Sequence, residues 1–232
     1  MRCAALALAV TGSLGCATSS ALAPDERGAL AREARAEGPR YLQVSALRYH
    51  LLEEDQPPAL APLPPPEWEV GGHPVPPGQL VAGIVPAGTA ARIVRVDFPV
   101  GTFGEKTTRR DTYVRLALGT GEEALLLLDA SLGSEARFWD ELERWLTPLT
   151  PASLEEGWND AVRAAVKEKR TVSEMPADAV VAAWGYPSTR VVTFVPSGRH
   201  ETWTWPGGLR SAELQNGRLV ESRAPDASGT AP

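Results

Sequence analysis

The sequence predicts an α+β protein in which a small β-barrel domain precedes a unit of two helices and an antiparallel sheet. Three observations support this fold class. Several short strand-like segments separated by turns lie before residue 148, which is typical of a small barrel. Two segments with apolar residues at helical spacing follow. Four strand-like segments with tight turns come last, and helices followed by a meander favour helices on one face of a sheet.

The first 15 residues are predicted to be a secretory signal peptide. Arg2 supplies a positive charge, and the apolar run from Cys3 to Val10 is too short to span a bilayer. Small residues and then Cys16 follow, and Leu14-Gly15-Cys16 resembles the lipobox of bacterial lipoproteins, with Ser13 where Leu is usual. The resemblance implies cleavage before Cys16 and acylation of its thiol and new amino group, which would anchor the protein to a membrane. A plain cleaved signal or an uncleaved leader is the alternative.

Residues 16–39 form the predicted lipidated tether. Ala17, and not an acidic residue, follows Cys16. By resemblance to the sorting of such lipoproteins, this implies the outer membrane, with the protein facing the periplasm. Asp25 to Glu37 is rich in Ala, Glu and Arg, and its alternating charges favour a solvated helix or a charged spacer over a binding patch.

Composition excludes several classes of function. The net charge of −6 gives no electrostatic support for binding nucleic acid. The chain has two cysteines, of which Cys3 would leave with the signal and Cys16 would carry lipid, so neither remains as a nucleophile or metal ligand. His50, His73 and His200 lie far apart in sequence. We therefore predict no metal, no cofactor and no catalytic residue, and a protein that is not an enzyme.

Residues 40–148 form the predicted β domain, which contains an insertion and ends in a helix. The prolines between Gln56 and Pro77 predict a long loop rather than a helix or central strand, with a proline-rich ligand for a partner as the alternative. Ser134 to Leu146 is an amphipathic pattern with Ser134 as its N-cap. The predicted strands are Tyr41 to His50, two within Leu80 to Phe98, Tyr113 to Leu118, and Glu123 to Asp129.

The turn within this domain carries a resemblance. Gly83 to Val96, with the sequence Ile-Val-Pro-Ala-Gly-Thr at its turn, resembles the strand-turn-strand of SH3-like envelope domains. The resemblance implies that residues 40–148 form an SH3-like barrel.

Residues 149–223 form the predicted second domain, and residues 224–232 a flexible tail. A capping box at Ser153 to Glu156 predicts a helix that runs to about Arg170. Pro176 and Gly185 bound a second helix, which Pro187 prevents from continuing. The predicted strands are Arg190 to Val195, Glu201 to Trp205, Leu209 to Leu214, and Arg218 to Ser222.

This second domain resembles the SmpA/OmlA/BamE-type outer-membrane lipoproteins. The resemblance rests on Met175 to Val180, on Trp184-Gly185-Tyr186-Pro187, and on the strand segments from Glu201 to Glu221, with Glu174 and Pro176 departing from the family pattern. It implies a BamE-like domain of two helices and an antiparallel sheet. It also implies a role in outer-membrane protein assembly or envelope integrity.

Three aromatic residues are the candidate partner-binding residues. Trp203 and Trp205 lie two residues apart, on the same face of a predicted strand. They are either core residues beneath the two helices or an exposed aromatic anchor of the kind found at binding hot spots. Tyr186, beside the turn at Gly185, would join such a surface.

The sequence thus predicts a lipid-anchored envelope protein that binds a protein partner, with peptidoglycan as a further contact. Two alternatives stay open. One is an inhibitor-type module that blocks a periplasmic enzyme. The other is an enzyme such as a cell-wall hydrolase, or an accessory protein associated with the cell wall, since SH3-like domains often accompany cell-wall hydrolases.

Overall fold

The computed structural model describes residues 22–51, 56–64, 67–70, 73–75, 79–99, 111–129 and 132–225. Of these described residues, 38% lie in strands and 25% in helices. The predicted fold class, a small SH3-like barrel followed by a BamE-like pair of helices on a small sheet, is therefore wrong. The described chain is rich in β structure, with an eight-stranded sheet, a four-stranded sheet, a further pair of two-residue strands and five α-helices.

The elements follow one another in this order. The helices are α1 (Pro24–Ala36), α2 (Glu135–Glu143), α3 (Pro151–Leu154), α4 (Asp160–Lys167) and α5 (Ala177–Trp184). The strands before α2 are β1 (Arg40–Leu42), β2 (Ala46–His50), β3 (Ala59–Ala61), β4 (Glu69–Val70), β5 (His73–Pro74), β6 (Gln79–Val85), β7 (Ala90–Asp97), β8 (Thr112–Leu118) and β9 (Glu123–Leu128). The later strands are β10 (Leu146–Thr147), β11 (Thr189–Val195), β12 (Gly198–Thr204), β13 (Ser211–Gln215) and β14 (Arg218–Arg223).

The eight-stranded sheet is strongly curled. Its order is β10-β1-β7-β8-β9-β3-β2-β6, so β1 and β2 occupy its second and seventh positions. A flat sheet would separate those positions by roughly 24 Å, at about 4.8 Å per strand. The short link from Leu42 to Ala46 spans at most about 14 Å. The sheet must therefore bend until its two ends approach each other.

The two strands on either side of the turn at Pro86 to Gly88 do not pair with each other. The strands on either side of the turn exist, but β6 pairs with β2, whereas β7 pairs with β1 and β8. The turn that contains Pro86 and Gly88 instead carries the chain from β6, the last strand in the order, to β7, the third. Its position is fixed by reciprocal backbone bonds, Leu42 N to Thr89 O at 3.0 Å and Gly88 N to Leu42 O at 2.7 Å.

The proline-rich segment contributes a central strand, contrary to the prediction of a long loop. β3 lies between β2 and β9 and is parallel to β9. Its three residues, Ala59–Ala61, are fully buried. Pro57, Pro58 and Pro62 flank this strand without occupying it, so the ladder loses no amide donor.

Both faces of the eight-stranded sheet are covered where β3 and β9 pair. In β9, Ala124, Leu126 and Leu128 pack into a cluster with α1 and α2, which we call the sheet cluster. The alternate residues Leu125 and Leu127 pack into the tryptophan cluster, which contains Trp68, Trp158, Trp184, Trp203 and Trp205. The uninterrupted apolar run of β9 is thus that of a strand buried on both faces.

The four-stranded sheet and helices α4 and α5 enclose the tryptophan cluster. The sheet has the order β11-β12-β13-β14, and Asn216-Gly217 forms the last hairpin turn, with φ of 50° and 78°. The helix predicted from the capping box is shorter than expected, since Gly157 has a φ of 79° and α4 begins only at Asp160. The side chain of Asn159 caps α4 by accepting a hydrogen bond from Val162 N at 2.9 Å.

Ser45 ties the eight-stranded sheet to α4 and α5. Its backbone N–H donates to Ala182 O at 2.7 Å, and its hydroxyl donates to Val166 O at 2.7 Å. The hydroxyl oxygen also accepts from Ala87 N at 2.9 Å. The domain boundary at residue 148 stays a prediction, but the tryptophan cluster and these hydrogen bonds pass across it.

Candidate functional site

The structure places the three predicted partner-binding residues in two different environments. Trp203 and Trp205 are core residues, with 2% and 1% of their surface exposed. Their indole N–H groups have internal acceptors, Glu201 Oε2 at 2.9 Å and Gly185 O at 3.1 Å. Tyr186 is 43% exposed. Of the two interpretations of the tryptophan pair, burial favours the core, and Tyr186 alone among the three presents a surface.

Tyr186 lies at a cleft of about 380 Å³, which we call the Tyr186 cleft. The cleft lies where the end of α5, helix α2 and the proline-rich segment meet. Its apolar lining includes Val44, Pro62, Leu63, Leu127, Trp145, Trp184 and Trp205. Its charged lining is Glu69, Asp129, Arg137, Glu141 and Arg144.

The ring of Tyr186 is held by polar contacts from two other segments. The guanidinium of Arg144 lies 5.7 Å from its ring centroid, a cation–π geometry. Arg144 Nη1 is in turn 3.4 Å from Glu141 Oε1. The hydroxyl of Tyr186 donates to Gln43 Oε1 at 3.4 Å. Tyr186 is therefore positioned before any partner arrives, which lowers the entropic cost of binding.

Burial raises the pKa of the Tyr186 hydroxyl, and the positive charge of Arg144 partly offsets this effect. The net direction is upward from the usual value of 10.0. The hydroxyl is consequently protonated at neutral pH, and it acts there as a hydrogen-bond donor rather than as a base or a nucleophile.

The aromatic wall behind Tyr186 is fixed from several directions. Trp184 packs edge-on against Trp205, with ring centroids 5.2 Å apart, and its Nε1–H donates to Lys169 O at 3.2 Å. The guanidinium of Arg210 lies 5.3 Å from the Trp184 ring centroid. Arg210 also forms a partly buried ion pair with Glu67, with 2.9 Å between Nε and Oε2. The wall is thus a rigid part of the tryptophan cluster.

The sequence interpretation missed the contribution of α2 to this site. It used the apolar face of this helix and left the polar face unassigned. Arg137, Glu141 and Arg144 are spaced i, i+4 and i+7, which places them on one helical face. This spacing could have indicated a polar surface on α2. It does not show that Tyr186, more than 40 residues later in the sequence, lies opposite this surface.

A second charged group lies at the edge of the four-stranded sheet. The buried carboxylate of Glu201 pairs with Arg190 and with Arg199, the latter at 3.1 Å. Burial raises the pKa of this carboxyl, but hydrogen bonds from Arg190 and Trp203 and the charges of both arginines outweigh it and lower the pKa from 4.5. Arg190 also lies over Trp203, 5.2 Å from the ring centroid. These contacts hold Arg190 of strand β11 against Glu201 and Trp203 of strand β12, so this cluster of charges has a structural role.

Three further sequence predictions concern other parts of the chain. Cys16 lies outside the described residues. Within the described ranges, no group of three or more His, Cys, Asp or Glu side chains could hold a metal ion. None of the helices in the described part of the chain combines the length and the apolar character needed to cross a bilayer.

The arrangement at the Tyr186 cleft is suited to recognising another molecule through apolar contact and charge. Aromatic and aliphatic side chains form its floor, and charges of both signs stand at its rim. Comparison of the chain with protein-family models, with curated proteins and with solved structures found no match.

Proposed function

We propose that this chain is a lipid-anchored, non-enzymatic protein of the bacterial outer membrane that binds an envelope protein through the Tyr186 cleft. Acylated Cys16 would hold it at the membrane, facing the periplasm. The partner would serve outer-membrane protein assembly or envelope integrity, the role implied by the resemblance of Trp184-Gly185-Tyr186-Pro187 to outer-membrane lipoproteins.

The single observation that carries this proposal is the position of Tyr186 beside Arg144 at the mouth of an aromatic cleft. Tyr, Trp and Arg are the residue types most enriched at binding hot spots. Here a half-exposed Tyr and an exposed Arg contact each other, and buried Trp residues support them from behind. Because the two side chains already hold each other in place, they lose little conformational entropy when a partner covers them, and they offer it a large contact area.

The partner segment that fits this cleft is an extended peptide with an apolar or aromatic side chain next to charged ones. The apolar side chain would enter the floor formed by Pro62, Leu127 and Trp205. Charged neighbours would meet Arg137 and Arg144 on one side, or Glu69 and Glu141 on the other. The mixed rim argues against a uniformly charged ligand such as nucleic acid.

The test is photo-crosslinking in intact envelopes, with a photoreactive phenylalanine at Tyr186. The matched control carries the same probe at Leu80, which is 42% exposed and does not line the cleft. We expect a discrete adduct with an envelope protein from the Tyr186 probe and none from the Leu80 probe. We expect Arg144→Ala to weaken the adduct, because it removes the cation that lies over the aromatic ring at position 186. Equal adducts from both probes would exclude the cleft as the binding surface.

Two further observations test the rest of the proposal. Cys16→Ser is expected to move the protein from the membrane fraction to the soluble fraction, and retention of the variant in the membrane would contradict the anchor. Identification of the adduct by mass spectrometry tests the role. A β-barrel assembly component would support it, whereas a hydrolase in the adduct would replace it with the inhibition of an enzyme.

A further inference from the structure

Strand β11 is an exposed edge of the four-stranded sheet. All seven residues of Thr189–Val195 are exposed, including Val191 at 55%, Val192 at 40% and Phe194 at 79%. β12 lies on one side of β11, and the described residues place no strand on its other side. Edge strands are usually protected by proline, by several charges or by bulges. β11 contains no proline, and Arg190 is its one charged residue.

The backbone of β11 directs alternate residues toward the open side. Asn216 N donates to Arg199 O at 2.8 Å, and Trp205 N donates to Arg210 O at 3.2 Å. In the same register, the odd-numbered residues of β12 direct their backbone N–H and C=O groups toward β13. Its even-numbered residues must then bond toward β11, where their partners are the odd-numbered residues of β11. Arg190, Val192 and Phe194 therefore direct their amide and carbonyl groups outward.

These three residues are self-complementary about a two-fold axis at Val192. If a second β11 pairs antiparallel with the first, Val192 lies opposite Val192, and Arg190 lies opposite Phe194 on both sides of the axis. In this register, the outward N–H and C=O groups of all three residues form hydrogen bonds in both strands. Shifting the strands by two residues in either direction leaves some of these backbone groups without a hydrogen-bond partner.

The side chains fit the same register. Arg190, Val192 and Phe194 stand directly opposite Trp203, Glu201 and Arg199 in β12 and therefore lie on the same face of the sheet as these residues. Arg190 is already held over Trp203 and paired with Glu201. Phe194 of a second copy would cover the outer side of this arginine, and the two Val192 side chains would meet at the centre.

We propose that β11 pairs with β11 of a second copy of this chain, joining two four-stranded sheets into one of eight strands. The pairing is isologous, so each copy uses the same patch and the assembly stops at two. The opposite edge of each sheet, β14, carries Arg218, Glu221 and Arg223, which discourage further strand pairing. The dimer requires neither the Tyr186 cleft nor the lipid anchor.

The test exploits the position of Val192 on the axis. Val192→Lys places two like charges opposite each other, as does Val192→Glu, whereas a mixture of the two variants places opposite charges there. Val220→Lys is the matched control, because Val220 is 55% exposed on the other edge strand. Sedimentation of the full-length protein in detergent gives the dimer dissociation constant for each sample.

We expect a dimer for the parent chain and for Val220→Lys. Each single variant at Val192 should raise the dissociation constant by about fivefold or more, and the equimolar mixture should restore the dimer. As a second test, Val192→Pro removes an outward N–H without removing a bond to β12, so it should abolish the dimer and leave thermal unfolding nearly unchanged. A monomeric parent chain, an unrestored mixture or growth beyond two copies would each overturn the proposal.

Discussion

Lys169 shows how one side chain links α4, α5 and the sheet beneath them. Its ammonium group donates to Ser45 O and to Ala183 O, the latter at 2.8 Å. Its backbone has a φ of 53°, which turns the chain immediately after α4. Burial, and to a smaller extent the charge of Arg210, lower its pKa from 10.5 to about 7.

We expect this lysine to make stability rise with pH above neutrality. Between the folded pKa of about 7 and the unfolded value of 10.5, the unfolded chain binds more protons than the folded chain. The free energy of unfolding contributed by Lys169 therefore increases as pH rises through this window, by at most about 1.4 kcal/mol per pH unit. Below pH 7 both states carry the proton, and the contribution no longer changes.

Urea unfolding of the parent chain and of Lys169→Met from pH 7 to pH 9 measures this effect. Methionine fills similar space without a titrating group, so the stability of the parent relative to the variant should grow with pH. A constant or shrinking difference would show that the pKa of Lys169 is not lowered in the folded state.

Helix α5 ends where it contacts the proline-rich segment. Gly185 has a φ of 83°, and its N–H donates to Val181 O at 2.7 Å. A Cβ at this position would lie 3.2 Å from Pro62 Cβ. This single glycine therefore stops the helix, admits the neighbouring segment and positions Tyr186 as the next residue.

We expect Gly185→Ala to destabilise the protein more than Gly207→Ala does. Both positions have positive φ, and Gly185, with a ψ of −179°, lies in a region that essentially only glycine adopts, at a cost to an alanine of about 1–3 kcal/mol. Gly207 has open space around it, whereas Gly185 must also displace Pro62. The midpoints of chemical unfolding give the comparison. Equal losses would mean that the proline-rich segment yields to the added methyl group.

The sequence is informative about elements and much less so about their pairing. Local signals correctly place the ends of α5 at Pro176 and Gly185, the N-cap Ser134 of α2 and the hairpin turn at Asn216. Each signal depends on the chemistry of a few neighbouring residues. The pairing of β3 with β9 joins residues more than 60 positions apart, and no local pattern encodes it.

The candidate site likewise combines residues that the sequence identifies with contacts that it does not predict. Tyr186 could be found from the sequence because it follows a helix-ending glycine, where side chains are often exposed. Trp203 and Trp205 could be placed on one strand face, but their alternation alone does not show whether that face is covered. Arg144 lies near Gln43 and Tyr186 because β10, which follows Arg144, pairs with β1, and no local sequence pattern encodes that pairing.

At the scale of the whole molecule, the two sheets share one buried interior. The tryptophan cluster contains Leu125 and Leu127 from β9 together with Trp184 and Trp205 from the C-terminal part. Separating the chain at residue 148 would expose the faces of both parts. Each part would then expose to water the apolar area that is now buried between them, at a free-energy cost of roughly 25 cal/mol per Å².

We therefore expect the fragment of residues 149–232 not to fold alone. Thermal circular dichroism should show no cooperative transition for it, whereas mixing it with residues 22–148 should restore tryptophan fluorescence typical of buried indoles. Cooperative unfolding of the isolated fragment would instead support two independent domains separated at residue 148.

The pairing of β1 with β10 has a consequence for the order of synthesis. Tyr41 and Leu42 pair with Thr147 and Leu146, so this part of the eight-stranded sheet waits until more than 140 residues have left the ribosome. The tryptophan cluster waits longer still, until Leu219 has emerged. Because these contacts join residues far apart in sequence, the complete tertiary structure cannot form until most of the chain has been made. This delay suits a protein that must be threaded through a translocation channel before it folds, as the proposed envelope location requires.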